Sequence, residues 1–190
     1  MPTVLKIITG SAKGKKLTTL EGEHTRPTSE RIKEAIFSSI QFDIEGREVL
    51  DLFAGSGQMG LEALSRGAAT AMFVDNAKEA IDVVKQNAKA VGFFGQSRFL
   101  TSDYRNYIRK ASGREIFDLI FIDPPYALGC CKEAAERIVA AGLARTGAIF
   151  VLEGGEESLD PQENAYAGFE VLKYKRYGTK TSVAILLYRG

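Results

Sequence analysis

From residue 48 onward the sequence repeats one pattern, in which a short apolar run ends in a turn and is followed by an amphipathic helical stretch. Four runs show it: EVLDLF (48–53), TAMFVD (70–75), RFLTSD (98–103) and FDLIFID (117–123). A fifth apolar run, AIFVLE (148–153), comes after the last of these helical stretches. Strands that alternate with helices in this way predict βαβ units and a parallel sheet.

The end of the chain breaks this pattern. Two further strand-like runs, 168–178 and 180–190, are separated by a turn that is too short to hold a helix. Because a short turn joins only antiparallel strands, these two runs predict a hairpin. We therefore expect an α/β fold with a mostly parallel seven-stranded sheet that finishes in an antiparallel hairpin. Ligands of such sheets bind beyond the carboxyl ends of the parallel strands.

The first 41 residues are predicted to form a small extension, and residues 42–190 the main domain. Two short strand-like runs, Leu5–Thr9 and Lys15–Thr19, are joined across glycines as in a hairpin. A helix is then predicted from Pro27. Its apolar face should pack on the main domain and consists of Ile32, Ala35, Ile36, Ser39 and Ile40. The opposite face consists of Arg31, Lys33 and Glu34.

The length of 190 residues suits one domain with such an extension. No stretch approaches the roughly 18 to 20 apolar residues that a membrane span needs. Lys6 interrupts the first apolar run, so no secretory signal is predicted, and a cytoplasmic location without membrane contact is expected. Cys130 and Cys131 are neighbours without histidines at ligand spacing, so neither a disulfide nor a metal site is predicted.

Positive charge is concentrated at both ends of the chain. Residues 1–40 carry seven Lys and Arg against four Glu, and residues 170–190 carry five against one, although the whole chain has a net charge of only +1. The middle of the chain is therefore acidic. Basic ends on such a domain suit a rim that binds a polyanion, and scattered solvated lysines would give the same counts.

A glycine motif, DLFAGSGQMG, runs from Asp51 to Gly60 after the first strand of the main domain. Gly55 and Gly57 allow a tight turn and a close approach of the backbone to a ligand, with a helix N-terminus beyond them. The spacing Gly55, Gly57, Gly60, with Asp75 twenty residues after Gly55, also matches the dinucleotide fingerprint. The glycine motif is therefore also compatible with a nicotinamide cofactor.

Two acidic residues end the next two strands. Asp75 ends TAMFVD, where a carboxylate can accept hydrogen bonds from both hydroxyls of a ribose. Asp103 ends RFLTSD and could accept a hydrogen bond from an adenine amino group. Either residue could instead cap the helix that follows it. Because both S-adenosylmethionine and NAD contain an adenosine ribose, Asp75 does not distinguish them.

The sequence Asp123-Pro124-Pro125-Tyr126 directly follows the strand FDLIFI. Two successive prolines fix φ and remove two backbone donors, which leaves a stiff loop that offers carbonyl oxygens. If the Asp123 carboxylate and the Pro124 carbonyl each accept one N–H of an exocyclic amine, the nitrogen is held for attack on a methyl group. Tyr126 supplies a flat face for the base. This loop favours a methyltransferase that acts on a nucleic-acid base over a dehydrogenase.

An amine at a base edge must be exposed or flipped out before it can reach this loop. Basic residues of the two ends could hold the phosphates around such a nucleotide: Arg26, Arg31, Lys33, Lys175 and Arg176. Tyr174 or Tyr177 could support the extruded base.

These motifs resemble the RsmD family, bacterial methyltransferases that act on the guanine N2 amine of small-subunit ribosomal RNA. The resemblance runs nearly from end to end and is carried by IITGSAKGKKL, RPTSERIKEAIF, VLDLFAGSGQMGLEALSRGA, FVDN, FDLIFIDPPY and KRYGTK. It implies a class I S-adenosylmethionine-dependent, Rossmann-like methyltransferase fold in which Asp123–Tyr126 hold the base. It also implies that Arg26 and Thr28 lie near the mouth of the active site.

The cofactor residues implied by the resemblance are Asp51, Phe53, Ala54, Gly55, Ser56, Gly57, Asp75 and Asn76, with Asp103 as a further candidate. The family often has Glu where this chain has Asp75.

Three functions follow as hypotheses. The first is methylation of guanine N2 in small-subunit (16S) ribosomal RNA by S-adenosylmethionine, with the RNA free or in an assembling subunit and the enzyme a monomer without metal. The second is methylation of adenine N6 in DNA or RNA, because the Asp123 loop suits either amine. The third is a nicotinamide-dependent oxidoreductase or a catalytically idle nucleic-acid-binding domain.

Overall fold

Parallel strands and the helices between them build the unit Met1–Asp103. The computed structural model describes residues 4–21, 27–155 and 157–190, without the side chains of Pro27 and Thr28. The strands of this unit pair in parallel, β2 lying between β1 and β3. Its elements are α1 (Pro27–Ser39), β1 (Glu48–Asp51), α2 (Gln58–Ser65), β2 (Thr70–Asp75), α3 (Lys78–Val91), a 3₁₀ turn (Phe94–Gln96) and β3 (Ser97–Thr101).

The unit Tyr104–Gly190 contains the remaining strands and the predicted hairpin. β4 pairs with β5 in parallel, and β7 pairs in antiparallel fashion with both β5 and β6. Its elements are α4 (Tyr104–Ala111), β4 (Phe117–Ile122), a 3₁₀ turn (Tyr126–Leu128), α5 (Cys131–Ala140), β5 (Ala144–Gly154), β6 (Phe169–Tyr177) and β7 (Thr181–Tyr188).

The strand order is β3-β2-β1 within the first unit and β4-β5-β7-β6 within the second. The predicted α/β fold, with a mostly parallel sheet and a C-terminal antiparallel hairpin, is confirmed. Within the part of the chain that the structure describes, the longest helix is α3 with 14 residues, which is shorter than the roughly 20 apolar residues of a membrane-spanning helix.

The two predicted N-terminal strands are reduced to a single antiparallel bridge between Lys6 and Lys16. Three main-chain hydrogen bonds join the two runs, from Ile7 to Lys15, from Gly14 to Ile7 and from Leu17 to Leu5, and a side chain of α2 binds the backbone that follows Ile7. The Glu62 carboxylate accepts the N–H groups of Ile8 and Thr9 at 2.8 and 3.0 Å. The predicted hairpin-like turn is present, and its backbone is hydrogen-bonded to a side chain of α2. The boundary predicted at residue 41 stays a prediction.

Lys33 was expected on the polar face of α1, available for phosphates, and this expectation is wrong. Its side chain is 3% exposed, and its Nζ lies 3.2 Å from Glu62 Oε2 and donates to the Lys6 carbonyl at 3.2 Å. Burial lowers the pKa of Lys33, and the Glu62 charge opposes that shift. A lysine that is buried and paired in this way cannot reach an RNA phosphate.

Gly10 is the residue of this turn that tolerates no side chain. Its φ is +89°, and a Cβ built there would lie 1.8 Å from the Ser65 carbonyl oxygen. Gly10→Ala should lower the free energy of unfolding by about 3 kcal/mol or more, because backbone strain and a clash with backbone add together. Gly14→Ala, at φ +81° with no atom within 4 Å, is the matched control and should lose only about 1 kcal/mol. Equal losses in urea unfolding would show that the contact with Ser65 is unimportant.

Candidate active site

The loop after β1 is shaped by glycines in the left-handed region of backbone conformation. Gly55 has φ +54° and Gly57 has φ +82°. A Cβ on Gly57 would lie 2.8 Å from a methyl group of Val84, so the loop could not carry a side chain there without moving α3. Gly57 directly precedes α2. The result is a backbone cradle at a helix N-terminus, which suits a ligand that approaches the main chain closely.

Asp51 lies beneath this cradle. It is 3% exposed, and its Oδ2 accepts the Gly60 N–H at 3.0 Å. A Cβ on Gly60 would clash with the Phe73 ring at 2.4 Å, so this approach also depends on a glycine. Asp51 therefore fastens the first turn of α2 to the end of β1. Burial raises the pKa of Asp51 to about 7, although the hydrogen bond from Gly60 opposes the shift.

Asp51 should make the stability of the fold depend on pH. In the folded chain Asp51 keeps its proton up to about pH 7, whereas an aspartate in the unfolded chain has a pKa of 3.8. The stability that this group contributes is therefore full below pH 3.8 and is lost as the pH rises through 7. Between pH 5 and 8 the wild type should lose about 2 to 3 kcal/mol more than Asp51→Asn. Denaturant unfolding at both pH values measures this, with exposed Asp43→Asn as the control; parallel curves would contradict the shifted pKa.

Asp75 ends β2 and supports the loop from the other side. Its Oδ2 accepts the Gly55 N–H at 3.0 Å, and its Oδ1 accepts the Ala77 N–H at 2.9 Å. Each carboxylate oxygen has a second lone pair, so both can still accept a further hydrogen bond. The neighbouring Asn76 is exposed. Asp103 is exposed too, and it does not end β3 as predicted, because the strand ends at Thr101 and Asp103 directly precedes α4.

Ser56 and Asn87 connect the cradle to the N-terminal segment. Asn87, 1% exposed on α3, donates to the carbonyls of Ser56 and Thr18, both at 2.9 Å. Its Oδ1 accepts the Thr18 N–H at 2.8 Å. Ser56 Oγ is buried and has no hydrogen-bond partner among residues 4–21, 27–155 and 157–190. A buried hydroxyl inside the cradle is thus available to a bound ligand.

The loop after β4 presents Asp123 and two prolines. Asp123 is half-buried and Pro124 is buried. The Pro125 carbonyl accepts the Leu128 N–H at 2.9 Å, which closes the 3₁₀ turn. By contrast, the Pro124 carbonyl receives no hydrogen bond from any residue that the structure describes. The loop therefore offers a carboxylate and an adjacent carbonyl as acceptors.

Tyr126 is fixed by two contacts. A Cβ on Gly155 would lie 2.3 Å from Cγ of the Tyr126 ring, so the ring packs directly on that glycine. Its hydroxyl lies 3.0 Å from Thr181 Oγ1. The side chain is still 43% exposed. It borders a cleft of about 510 Å³ that Tyr174, Arg176 and Lys180 also line.

The sequence matches one known family along almost its whole length. The family model described as "Conserved hypothetical protein 95" matches residues 5–186. YlbH of Bacillus subtilis (strain 168) is 36% identical over 187 residues, which cover 98% of this chain and 100% of that protein. Ribosomal RNA small subunit methyltransferase D of Haemophilus influenzae is 30% identical over 150 residues, which cover 78% of each chain. The chain belongs to the RsmD family of methyltransferases.

Solved structures agree with this membership. The structure of yhhF from Escherichia coli is 26% identical, covers 98% of this chain and 99% of that chain, and superposes with a TM-score of 0.85. The 16S rRNA N2 G1207 methyltransferase RsmC of T. thermophilus, solved with AdoMet and guanosine, has a TM-score of 0.71 at 21% identity over 99% of this chain and 50% of its own. That likeness concerns the fold, which is the methyltransferase fold expected from the sequence.

Of the predicted substrate residues of this RsmD-family chain, some are described in full, one only in its backbone and one not at all. Arg31 is exposed on α1, and Arg26 lies outside the described residues. Thr28 is described only as part of the backbone of α1. Lys175 is exposed on β6, where its Nζ lies 5.1 Å from the centre of the half-buried Tyr177 ring. Lys175 and Tyr177 therefore form a cation–π contact on β6.

Two functional candidates, Asn87 and Glu153, had no role in the sequence analysis. Asn87 lies among the buried residues of α3, and a polar residue on the apolar face of a helix is the signal that could have identified it. Glu153 was the last residue of an apolar run, in the position where Asp75 and Asp103 end theirs. Both cysteines are buried and free, as expected.

Proposed function

We propose that this protein transfers a methyl group from S-adenosylmethionine to the N2 amine of a guanine in small-subunit ribosomal RNA. Relatives that cover most of the chain are named for methylation of that RNA. The observation that carries the proposal is the pair of acceptors after β4: a half-buried carboxylate at Asp123 followed by a Pro124 carbonyl without a partner among the described residues. We place the reaction in the cytoplasm and the enzyme in the monomeric state.

The residues after β1 and β2 fit the adenosyl cofactor. The glycine cradle leaves no space for side chains at Gly57, and the buried Ser56 hydroxyl lacks a protein partner among the described residues. The Asp75 carboxylate retains an acceptor site on each oxygen, which suits the two hydroxyls of a ribose. When bound, S-adenosylmethionine supplies an electrophilic methyl group on a sulfonium. Membership in a methyltransferase family favours this cofactor over a nicotinamide.

Asp123 and Pro124 would act on the amine by holding both of its hydrogens. With each N–H donated to one acceptor, the nitrogen lone pair is fixed in direction and its electron density is raised. The Asp123 carboxylate also stabilises the positive charge that develops on nitrogen during transfer. Because the prolines stiffen the loop, little conformational entropy is lost when the amine binds. The proton that leaves the methylated nitrogen can pass to Asp123 or to water.

The rest of the nucleotide would contact the surface near Tyr126. The exposed part of its ring offers a stacking face. The adjoining cleft is lined by Arg176 and Lys180 together with the acidic residues Glu157, Asp160 and Glu163, so within this lining the phosphates would contact the two cations. Lys175 and Tyr177 on β6 form a second basic and aromatic pair. Such contacts position an extruded base without reading its sequence.

Mass spectrometry of ribosomal RNA tests this function directly. RNA from a strain that lacks the gene should miss one N2-methylguanine, which the wild-type gene restores and the Asp123→Ala variant does not. The digest also identifies the nucleotide. A missing N6-methyladenine instead would support the adenine alternative, and an unchanged set of modified nucleotides would overturn the proposal.

A further inference from the structure

Asp123 has a second carboxylate beside it at the edge of the sheet. The parallel pairing of β4 and β5 runs through Phe121↔Val151 and ends at Ile122↔Leu152. Asp123 directly follows β4, and Glu153 is the next residue of β5, so the two residues lie at the same level along the strands. Residues paired in register on neighbouring strands project to the same face. Cys131 lies near both, since its thiol donates to the Glu153 carbonyl at 3.3 Å and the Asp123 charge contributes to its raised pKa.

Glu153 holds a carboxylate that the fold does not use. No hydrogen bond or ion pair reaches it from any of the described residues, although its side chain is half-buried. Burial raises the pKa of Glu153 to about 7. A half-buried carboxylate without a hydrogen-bond partner among the described residues is available to accept a hydrogen bond from a ligand.

The same face continues on to β6. Glu153 pairs with Val183 of β7, and Val183 pairs with Lys175 of β6. Tyr177, two residues beyond Lys175, therefore lies diagonally from Glu153, and burial together with the Glu153 charge raises the pKa of Tyr177. The row across the strands thus contains two carboxylates, Asp123 and Glu153, and the cation of Lys175 with the ring of Tyr177 beside it. The buried Val183 lies between Glu153 and Lys175.

Guanine presents two kinds of donor along one edge: the N1–H and the two hydrogens of the N2 amine. Adenine has an unprotonated N1 beside its amine and so presents an acceptor there. A carboxylate next to the amine-binding residue would attract the guanine edge and repel the adenine edge. One carboxylate for the amine and a second for N1–H is the set of acceptors that guanine requires.

We propose that Glu153 accepts the N1–H of the target guanine while Asp123 accepts an N–H of its N2 amine, so that Glu153 selects guanine over bases with an unprotonated N1. This inference rests on the proposed function. Glu153 would contact the base but take no part in methyl transfer itself.

The test compares two bases that share the 2-amino group. Guanine has N1–H, whereas 2-aminopurine has an unprotonated N1. A synthetic RNA that contains the methylated site found by mass spectrometry is made with each base at the target. The value of kcat/KM is measured for both at about pH 8.5, where Glu153, with its pKa of about 7, is ionised and can only accept hydrogen bonds. The wild type should prefer guanine by at least about 100-fold. Glu153→Gln should bring the ratio to below about 10-fold and raise the absolute rate on 2-aminopurine, because an amide can donate to its N1.

A matched control and a binding assay separate the possible failures. Glu170→Gln removes an exposed carboxylate of β6 that pairs with Arg189, and it should keep the wild-type ratio. Calorimetry with S-adenosylhomocysteine verifies that each variant is folded. If the wild type methylates neither RNA, the proposed function fails. If it methylates guanine but Glu153→Gln slows both substrates by the same factor, Glu153 is only structural and the inference is overturned.

Discussion

Asp123→Ala should lower methyl transfer by about 10²- to 10³-fold, which is the usual loss when one group that stabilises developing charge is removed. The variant loses an acceptor for the amine and the negative charge opposite the nitrogen as it becomes cationic. Affinity for S-adenosylhomocysteine should change by less than about threefold, because the residues proposed to hold the cofactor follow β1 and β2. Transfer of a labelled methyl group to RNA measures the rate, and calorimetry measures the affinity.

Two further variants identify the cause of the loss. Asp123→Asn keeps one carbonyl acceptor but no charge, so it should fall between Ala and the wild type. Asp118→Asn removes a carboxylate at the opposite end of β4, 3.8 Å from Arg145, and should leave the rate unchanged. Near-normal turnover by Asp123→Ala would remove the central element of the proposed function.

The strands and the terminal hairpin could be predicted from the sequence because their signals are local. Each apolar run is followed by its own turn, and TAMFVD coincides with β2 from Thr70 to Asp75. The glycine motif also depends on neighbours in sequence, and the positive φ values of Gly55 and Gly57 agree with it. Local pattern therefore determined both the fold class and the position of the cradle.

Lys33 shows where local pattern fails. On a helical wheel it lies with Arg31 and Glu34, but the structure buries it against Glu62, which is 29 residues away in sequence. The partner of a charged residue depends on tertiary contacts that periodicity does not contain. The N-terminal segment shows the same limit, since Glu62 also accepts the N–H groups of Ile8 and Thr9 in a tertiary contact that the hairpin pattern does not contain.

Glu153 illustrates a different limit. The sequence places it at the end of an apolar run, but its meaning depends on the register between β4 and β5. A shift of one residue in that register would turn the side chain to the opposite face of the sheet. Only the observed pairing of Ile122 with Leu152 brings it level with Asp123.

Asp75→Ala should weaken S-adenosylhomocysteine binding by at least about 100-fold, since two hydrogen bonds to a charged group contribute roughly 3 kcal/mol or more. The variant removes the proposed acceptor of the ribose hydroxyls and the acceptor of the Gly55 and Ala77 N–H groups. Asp75→Glu keeps a carboxylate, which the family often has at this position, and should stay within about tenfold of the wild type. Asp82→Asn, an exposed residue of α3 that pairs with Lys78, is the control.

Ribose recognition by Asp75 can be separated from its support of the loop with a second ligand. The 2′-deoxy analogue of S-adenosylhomocysteine should bind the wild type at least about tenfold more weakly than the parent compound, because one charge-assisted hydrogen bond is lost. In Asp75→Ala the two ligands should bind equally, since the acceptor of that hydroxyl is already absent. Such coupling is the signature of a direct contact. If the analogue loses as much affinity in the variant as in the wild type, Asp75 only shapes the cradle and another residue holds the ribose.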